Sequence, residues 1–247
     1  MSRKKQHDVT KSMITDSQLE ASLNNNQEVR HLRIKHKPFT DSQKTFLDIA
    51  LKESTKLMFV NGPAGSAKTY ISIYCGLSFL NNQEIEELVY IRNAVESSDH
   101  KLGFLPGAQE DKMAPYLEPL KDKLEEFLSL VDIKYLQQDQ RIYGVPVGFL
   151  RGASFGDKCV IVDEAQNMTE KELVTIMTRM GENSKLFICG DDMQSDIGSK
   201  SGFNNIRKLF GDSDSKEQGI YSHEFTEDDI VRSELVKFIV KKIKSLR

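Results

Sequence analysis

The segment that most constrains this chain is 56–70, KLMFVNGPAGSAKTY. Four largely apolar residues, Leu57, Met58, Phe59 and Val60, run into Asn61-Gly62-Pro63-Ala64-Gly65-Ser66-Ala67-Lys68-Thr69, and an apolar stretch at helical spacing follows from Tyr70 to Leu80. Strand, glycine-bearing turn and helix, in that order, are the context of a phosphate-binding loop. Backbone N–H groups of the turn and the helix N-terminus converge on one concavity, where the helix dipole adds partial positive charge. In such a loop Lys68 reaches the β- and γ-phosphates, and the Thr69 hydroxyl is a magnesium ligand. The strict pattern, G-x-x-x-x-G-K-[ST], is broken once, by Ala67 at the second glycine. A left-handed backbone there costs an alanine about 1–2 kcal/mol; a helical backbone suits it. Taken alone, the segment is also compatible with an ordinary strand-to-helix turn carrying an exposed lysine.

A second strand, Cys159-Val160-Ile161-Val162, delivers Asp163 and Glu164 at its C-terminal end. That edge of an open α/β sheet is where ligands bind. Neighbouring strand residues point opposite ways, so the two acids can divide the work: Asp163 holding magnesium, Glu164 orienting or deprotonating an attacking water. The other reading is a pair of acids in a surface turn. A third strand, 185–189, ends in Gly190-Asp191-Asp192-Met193-Gln194. Gln194 is the residue placed to position a water and sense the γ-phosphate, while Asp192 is read as part of a polar turn. One loop and two polar strand ends in this chain order favour nucleotide hydrolysis.

With 247 residues, 38% hydrophobic and 29% charged, the chain can bury a sizeable core in one large domain or one domain with a tail. No apolar run approaches bilayer length. The N-terminus, MSRKKQHDVTK, has no apolar core segment, so no secretory signal is expected and the expected location is cytoplasmic. Cys75, Cys159 and Cys189 form no C-x-x-C pair and are expected reduced and buried. The five histidines show no ligand spacing, and no metal site of protein ligands alone is expected. Residues 1–37 hold eight Lys/Arg against four Asp/Glu, leaving 26 basic and 33 acidic residues downstream. A flexible, mildly basic tail is therefore expected over 1–37, ahead of an acidic body from 38 to 247.

Along the chain, helices are expected over 41–52 and 121–130, from 169 to 180, over 202–210, and from Glu227 onward with Val231, Leu235, Ile239 and Ile243 at four-residue spacing. Further strands are expected over 88–91, 142–147, 148–151 and 219–225. Thr40, Asp41, Thr169, Glu170 and Glu172 supply helix-start residues. The alternation implies right-handed crossovers and a mostly parallel sheet with helices on both faces.

These segments together resemble the PhoH-like family, single-domain P-loop ATPases whose RecA-like core is similar to that of superfamily 1 helicases. The resemblance rests on Thr40-Asp41-Ser42-Gln43, the loop at 62–69, Arg92-Asn93-Ala94-Val95-Glu96, KLGFLPG at 101–107 with Pro115-Tyr116, and Arg151-Gly152. It continues through VDEAQN at 162–167, TRMG at 178–181, Gly190-Asp191 with Gln194, and Val231-Arg232 with Leu235-Val236. It implies an α/β three-layer sandwich that binds ATP and Mg2+, with Gln43, Gly62, Pro63, Ala64, Gly65, Ser66, Ala67, Lys68, Thr69 and Tyr70 around the nucleotide. It also implies metal held by Thr69 and Asp163, catalysis by Lys68, Glu164, Gln194 and Arg232, and coupling to single-stranded RNA or DNA. Gln43 matches the glutamine that reads the adenine edge, the alternative being an exposed helix residue. Arg92 matches an arginine leading into a nucleic-acid contact, and Arg179 and Arg232 match arginines near a γ-phosphate. The chain departs from the family at Ile91 and Asn93 beside Arg92, at Ser97-Ser98-Asp99-His100, and at Ser233-Glu234 after Arg232. No interleaved basic and aromatic stripe marks a strand-binding surface. Length for only one RecA-like domain suggests a homo-oligomeric ring in which a neighbour supplies an arginine. The rival from another class is an ATP-dependent regulatory switch acting on a protein partner.

Overall fold

The computed structural model describes residues 31–93, 109–150 and 152–231, together with 234, 235, 238, 239 and 242, and over 109–117 it describes the backbone alone. By its contacts the chain divides after Leu32, and the elements below belong to the unit from Arg33 onward. Six strands, β1 (Leu57–Asn61), β2 (Glu87–Arg92), β3 (Ile142–Pro146), β4 (Lys158–Asp163), β5 (Lys185–Gly190) and β6 (Ile220–Glu224), form one sheet. Its order is β3-β2-β4-β5-β1-β6 and every pairing is parallel. The helices are α1 (Asp41–Ala50), α2 (Lys68–Asn81), α3 (Gln109–Phe127), α4 (Leu130–Gln138), α5 (Glu170–Met177), α6 (Phe203–Leu209) and α7 (Ser213–Glu217). This is the α/β architecture with a parallel sheet that the alternating pattern implies. All strands point one way, so their C-terminal ends make a single edge, with β5 between the loop strand β1 and the acid strand β4.

β1 and β5 are buried at every residue, as strands covered on both faces must be. On one face Phe59, Val89, Ile91, Val160, Val162 and Ile188 pack with Leu173 and Ile176 of α5 and Phe203 and Ile206 of α6. On the other, α2 approaches so closely that a Cβ added at Gly76 would lie 2.5 Å from Leu88 Cδ1 and 3.4 Å from Cys159 Sγ. Each such buried Phe, Leu or Ile contributes about 1.5–3 kcal/mol. Thr40 with Gln43 and Thr169 with Glu172 make capping boxes at the starts of α1 and α5. Lys185 lies buried beyond the other end of α1, its Nζ donating to the carbonyls of Lys52, Glu53 and Thr55 at 2.9, 2.9 and 2.6 Å. The three cysteines are free and buried.

Several elements differ from expectation. α3 begins at Gln109 rather than near 121, and α4 follows where no helix was expected, because Ser129 accepts from the Asp132 N–H and starts a new one. Instead of a strand over 148–151, Val147–Phe149 is a 3₁₀ turn; pairing stops at Pro146, opposite Arg92. The short helix α7, capped by Asp212, was also unexpected. The last helix does not begin at Glu227: Glu227–Asp229 is a 3₁₀ turn, and the Val231 N–H donates to the Gly65 carbonyl at 3.1 Å. Helical backbone is described beyond it at 234, 235, 238, 239 and 242, with Leu235 and Ile239 exposed. Residues 1–30 of the expected tail, Ala94-Val95-Glu96, KLGFLPG, Arg151 and Arg232 lie outside the described residues, whereas 31–37 are described and Lys37 lines a cleft.

Candidate active site

The turn after β1 carries the site. Gly65 has φ +85°, and Ala67, the residue preceding α2, is left-handed at φ +65°. No side chain caps the start of α2, so its first N–H groups remain available to an anion. Gly62 admits no side chain, since an added Cβ would meet the Phe225 carbonyl oxygen at 2.9 Å. Ser66 Oγ donates to the Pro63 carbonyl at 2.8 Å, closing the loop on itself.

Lys68 Nζ donates to the carbonyls of Gly62 and Pro63 at 2.6 and 3.0 Å. Burial lowers its pKa, an effect opposed by Asp191 and, more weakly, by Glu164 and Asp163. The Thr69 hydroxyl donates to Asp163 Oδ1 at 2.6 Å, joining residues 94 apart in sequence. Glu164 follows β4 with left-handed backbone, φ +54°, so this turn, rather than strand alternation, separates the two acids. Its carboxylate accepts from Gln166 Nε2 at 2.6 Å and lies 3.9 Å from Arg92 Nη2. Asp191, one residue beyond β5, is buried. Its Oδ1 accepts from the Met193 N–H, whereas Oδ2 is buried without a partner. Burial raises the Asp191 pKa, with the Met193 N–H and Lys68 opposing.

These groups surround a cleft of about 560 Å³. One end holds Ala64, Gly65, Ala67, Lys68, Thr69, Asp163, Glu164, Asp191 and the exposed Gln194; Arg92 and Val231 also line it. The other end is walled by Lys37, Pro38, Gln43 and Tyr70, and by Pro119, Asp122, Lys123 and Glu126 of α3. Gln43 is buried, not an exposed helix residue, and its Oε1 accepts from the Thr40 N–H. Gly62, Pro63 and Ser66 are not part of this lining; Gly62 and Pro63 border a second hollow of about 710 Å³ that shares Glu164, Gln166, Asp191 and Gln194 with the cleft. Among the described residues that hollow carries Glu164, Asp191, Asp192, Asp196, Glu224 and Glu227 and no basic residue. Asp192, read as a polar-turn residue, pairs with Arg207 at 3.2 Å.

Arg179 is brought elsewhere. It follows the C-terminal end of α5, donates to the Ala153 carbonyl at 2.8 Å, and does not line the cleft. Its carbonyl accepts from Phe155, ahead of β4, which places it at the sheet edge opposite the site. Sequence reasoning missed two participants. The α3 wall had no signal, because its distance from the loop is a property of the fold. Tyr90, whose hydroxyl donates to Asp163 Oδ2, did leave one: a hydroxyl-bearing residue inside the apolar run Leu88–Ile91.

Oxygen donors at Thr69 and Asp163, side by side in a cleft that also carries Glu164 and Asp191, suit a hard divalent cation. Among the described residues, no cluster of three or more His, Cys, Asp or Glu could hold a metal on its own. No described helix is long and apolar enough to cross a membrane.

Comparison with known proteins places the chain. The family model for PhoH-like proteins matches residues 34–244. A PhoH-like protein of Bacillus subtilis is 34% identical over 228 residues, covering 92% of this chain and 68% of that one. A PhoH-like protein of Synechocystis is 37% identical over 185 residues, covering 74% and 55%, and the Protein PhoH of Escherichia coli K12 is 33% identical over 187 residues, covering 74% and 51%. The chain thus spans between about half and two thirds of the length of these relatives. The crystal structure of Pif1 helicase from Candida albicans aligns at 15% identity with a TM-score of 0.38, covering 77% of this chain and 41% of that one, a likeness too loose to bear on the site. With a family model matched over most of its length and relatives at a third identity, this chain belongs to the PhoH-like protein family.

Proposed function

We propose that this protein binds ATP with magnesium and hydrolyses it, and that turnover is coupled to single-stranded RNA or DNA. The observation that carries hydrolysis is the meeting of Thr69 with Asp163 across the cleft, with Glu164 next in the chain. The amides of 65–69 and Lys68 take the phosphates, Lys68 exchanging the Gly62 and Pro63 carbonyls for phosphate oxygens. Gln43 and Tyr70, at the far end, take the base. Thr69 and Asp163 would hold the magnesium, which would supply positive charge against the charge developing on the phosphates. Glu164 takes the proton of the attacking water, Gln194 orients that water, and Arg232 supplies positive charge, from its own chain or from a neighbour in a homo-oligomeric ring.

The proposed coupling to nucleic acid is supported by the resemblance of the family's core to helicases and by Arg92, at the end of β2 on the same sheet edge and 3.9 Å from Glu164. One observation favours the alternative, an ATP-dependent switch acting on a protein partner: among the described residues the second hollow is lined by six carboxylates and no cation, and although Arg207 pairs with two of them, Asp192 and Glu224, the balance disfavours a phosphate backbone. Phosphate release from ATP and Mg2+, with and without single-stranded RNA and DNA, separates the two. Lys68→Ala and Glu164→Gln should each lower turnover at least about 100-fold. Strand-stimulated turnover establishes the coupled ATPase. Turnover indifferent to strands but lost in both variants leaves the switch, and turnover retained in both excludes this cleft as the hydrolytic site.

A further inference from the structure

We propose that Tyr90 is a positioning residue for Asp163, fixing the plane in which that carboxylate presents itself to a divalent cation; the inference rests on Thr69 and Asp163 being the metal ligands. Tyr90 lies in the middle of β2 with none of its surface exposed. In the β2–β4 register it stands opposite Ile161, two residues before Asp163. Such a diagonal neighbour on one face is within reach of an aromatic side chain and beyond reach of an aliphatic one. Its hydroxyl spans the gap and donates to Asp163 Oδ2 at 2.5 Å. A hydroxyl buried in an apolar strand costs free energy unless it is bonded, and this one has a single acceptor, the carboxylate.

Two hydroxyls therefore hold Asp163, Thr69 on Oδ1 and Tyr90 on Oδ2, and they are not equivalent. A hydroxyl that gives a lone pair to a cation must turn its proton away from that cation. Once it ligates a cation, Thr69 keeps its present bond to Oδ1 only where Oδ1 is not itself a ligand of the same cation. Tyr90 donates to the other oxygen, and its bond is untouched by loading. A phenol keeps its proton at neutral pH, so the Tyr90 hydroxyl has that proton to donate. Of the two side-chain donors to Asp163 among the described residues, Tyr90 is the one that is not also proposed as a metal ligand. Loss of such an outer partner typically lowers metal affinity 10–100-fold.

The test is Tyr90→Phe, with Mn2+ as the probe. Mn2+ binding to the ADP-saturated protein is followed by the electron paramagnetic resonance of the free ion, and affinity for a fluorescent ADP is measured separately in EDTA. Mn2+ affinity should fall at least about tenfold, with nucleotide affinity in EDTA unchanged. 4-Aminophenylalanine at position 90, a weaker donor on the same ring, should fall between the two, and it carries the test if Phe impairs folding. Mn2+ affinity equal to or tighter than wild type overturns the proposal, as does an equal loss of metal-free nucleotide affinity, which marks a packing role. Failure of Mn2+ to bind the wild-type ADP complex removes instead the assignment of Thr69 and Asp163 as ligands.

Discussion

Ala67 and Glu164 are the two residues of the cleft that adopt left-handed backbone without being glycine, and such conformations persist only where surrounding structure enforces them. At Ala67 the enforcement is visible: β1 hands the chain to α2 through a turn that must aim several N–H groups at one point. The strain there is about 1–2 kcal/mol, of which glycine returns about 0.4–1 kcal/mol through its freer unfolded chain. Ala67→Gly should therefore raise stability by up to about 1 kcal/mol in urea denaturation while hydrolysis persists. A fall in stability would mean that the turn tolerates the Cβ without strain. The departure from the glycine pattern was plain in the sequence. Its consequence was not, since the same alanine in a helical backbone would have been favourable.

At the scale of elements, α5 and α6 start against each other. The Gly202 N–H donates to the Met168 carbonyl at 2.9 Å, and an added Cβ would stand 2.3 Å from the Glu170 backbone nitrogen. Gly202 has φ −90° and ψ −13°, an ordinary conformation, so only space forbids a side chain. Gly202→Ala should cost about 2–3 kcal/mol, read as a lower guanidinium midpoint with unchanged slope. Because α5 follows directly on 163–167, the same change should also weaken the proposed ATP hydrolysis. β1, β2, β4 and β5 were legible because strands of a parallel sheet buried on both faces read as unbroken apolar runs. The starts of α1 and α5 were legible from their capping boxes. α4 and α7 were not, because helices of nine and five residues are held by packing that no local pattern announces. The apolar spacing that begins at Val231 misled, since Val231 is pinned in non-helical backbone by its bond to Gly65.

For the whole molecule, acid should act through His223. It sits on the edge strand β6, its ring 5.4 Å from Phe46 and 4.5 Å from Phe225, with Nε2 buried and unpartnered. Burial lowers its pKa below 6.5, with Asp229 partly opposing. The unfolded chain then binds the proton more readily than the folded one, so stability is complete above about pH 6.5 and falls as the pH drops through that value. His223→Phe should flatten this part of a thermal-denaturation profile; an unchanged profile would assign the acid dependence to other groups.

The sequence by itself determined the class of fold, the loop and the chain order of its acidic strand ends, because those depend on local runs and on which residue types can face a phosphate. Only the tertiary structure decided which of the candidates meet. It set Thr69 against Asp163 and Gln43 into the wall of the cleft, carried Arg179 to the opposite edge, brought α3 in as a wall, and placed the Tyr90 hydroxyl on the Asp163 carboxylate. The reason is that strand order and register fix the distances between residues far apart in the chain. A one-residue slip of β2 against β4 would put Tyr90 on the other face of the sheet.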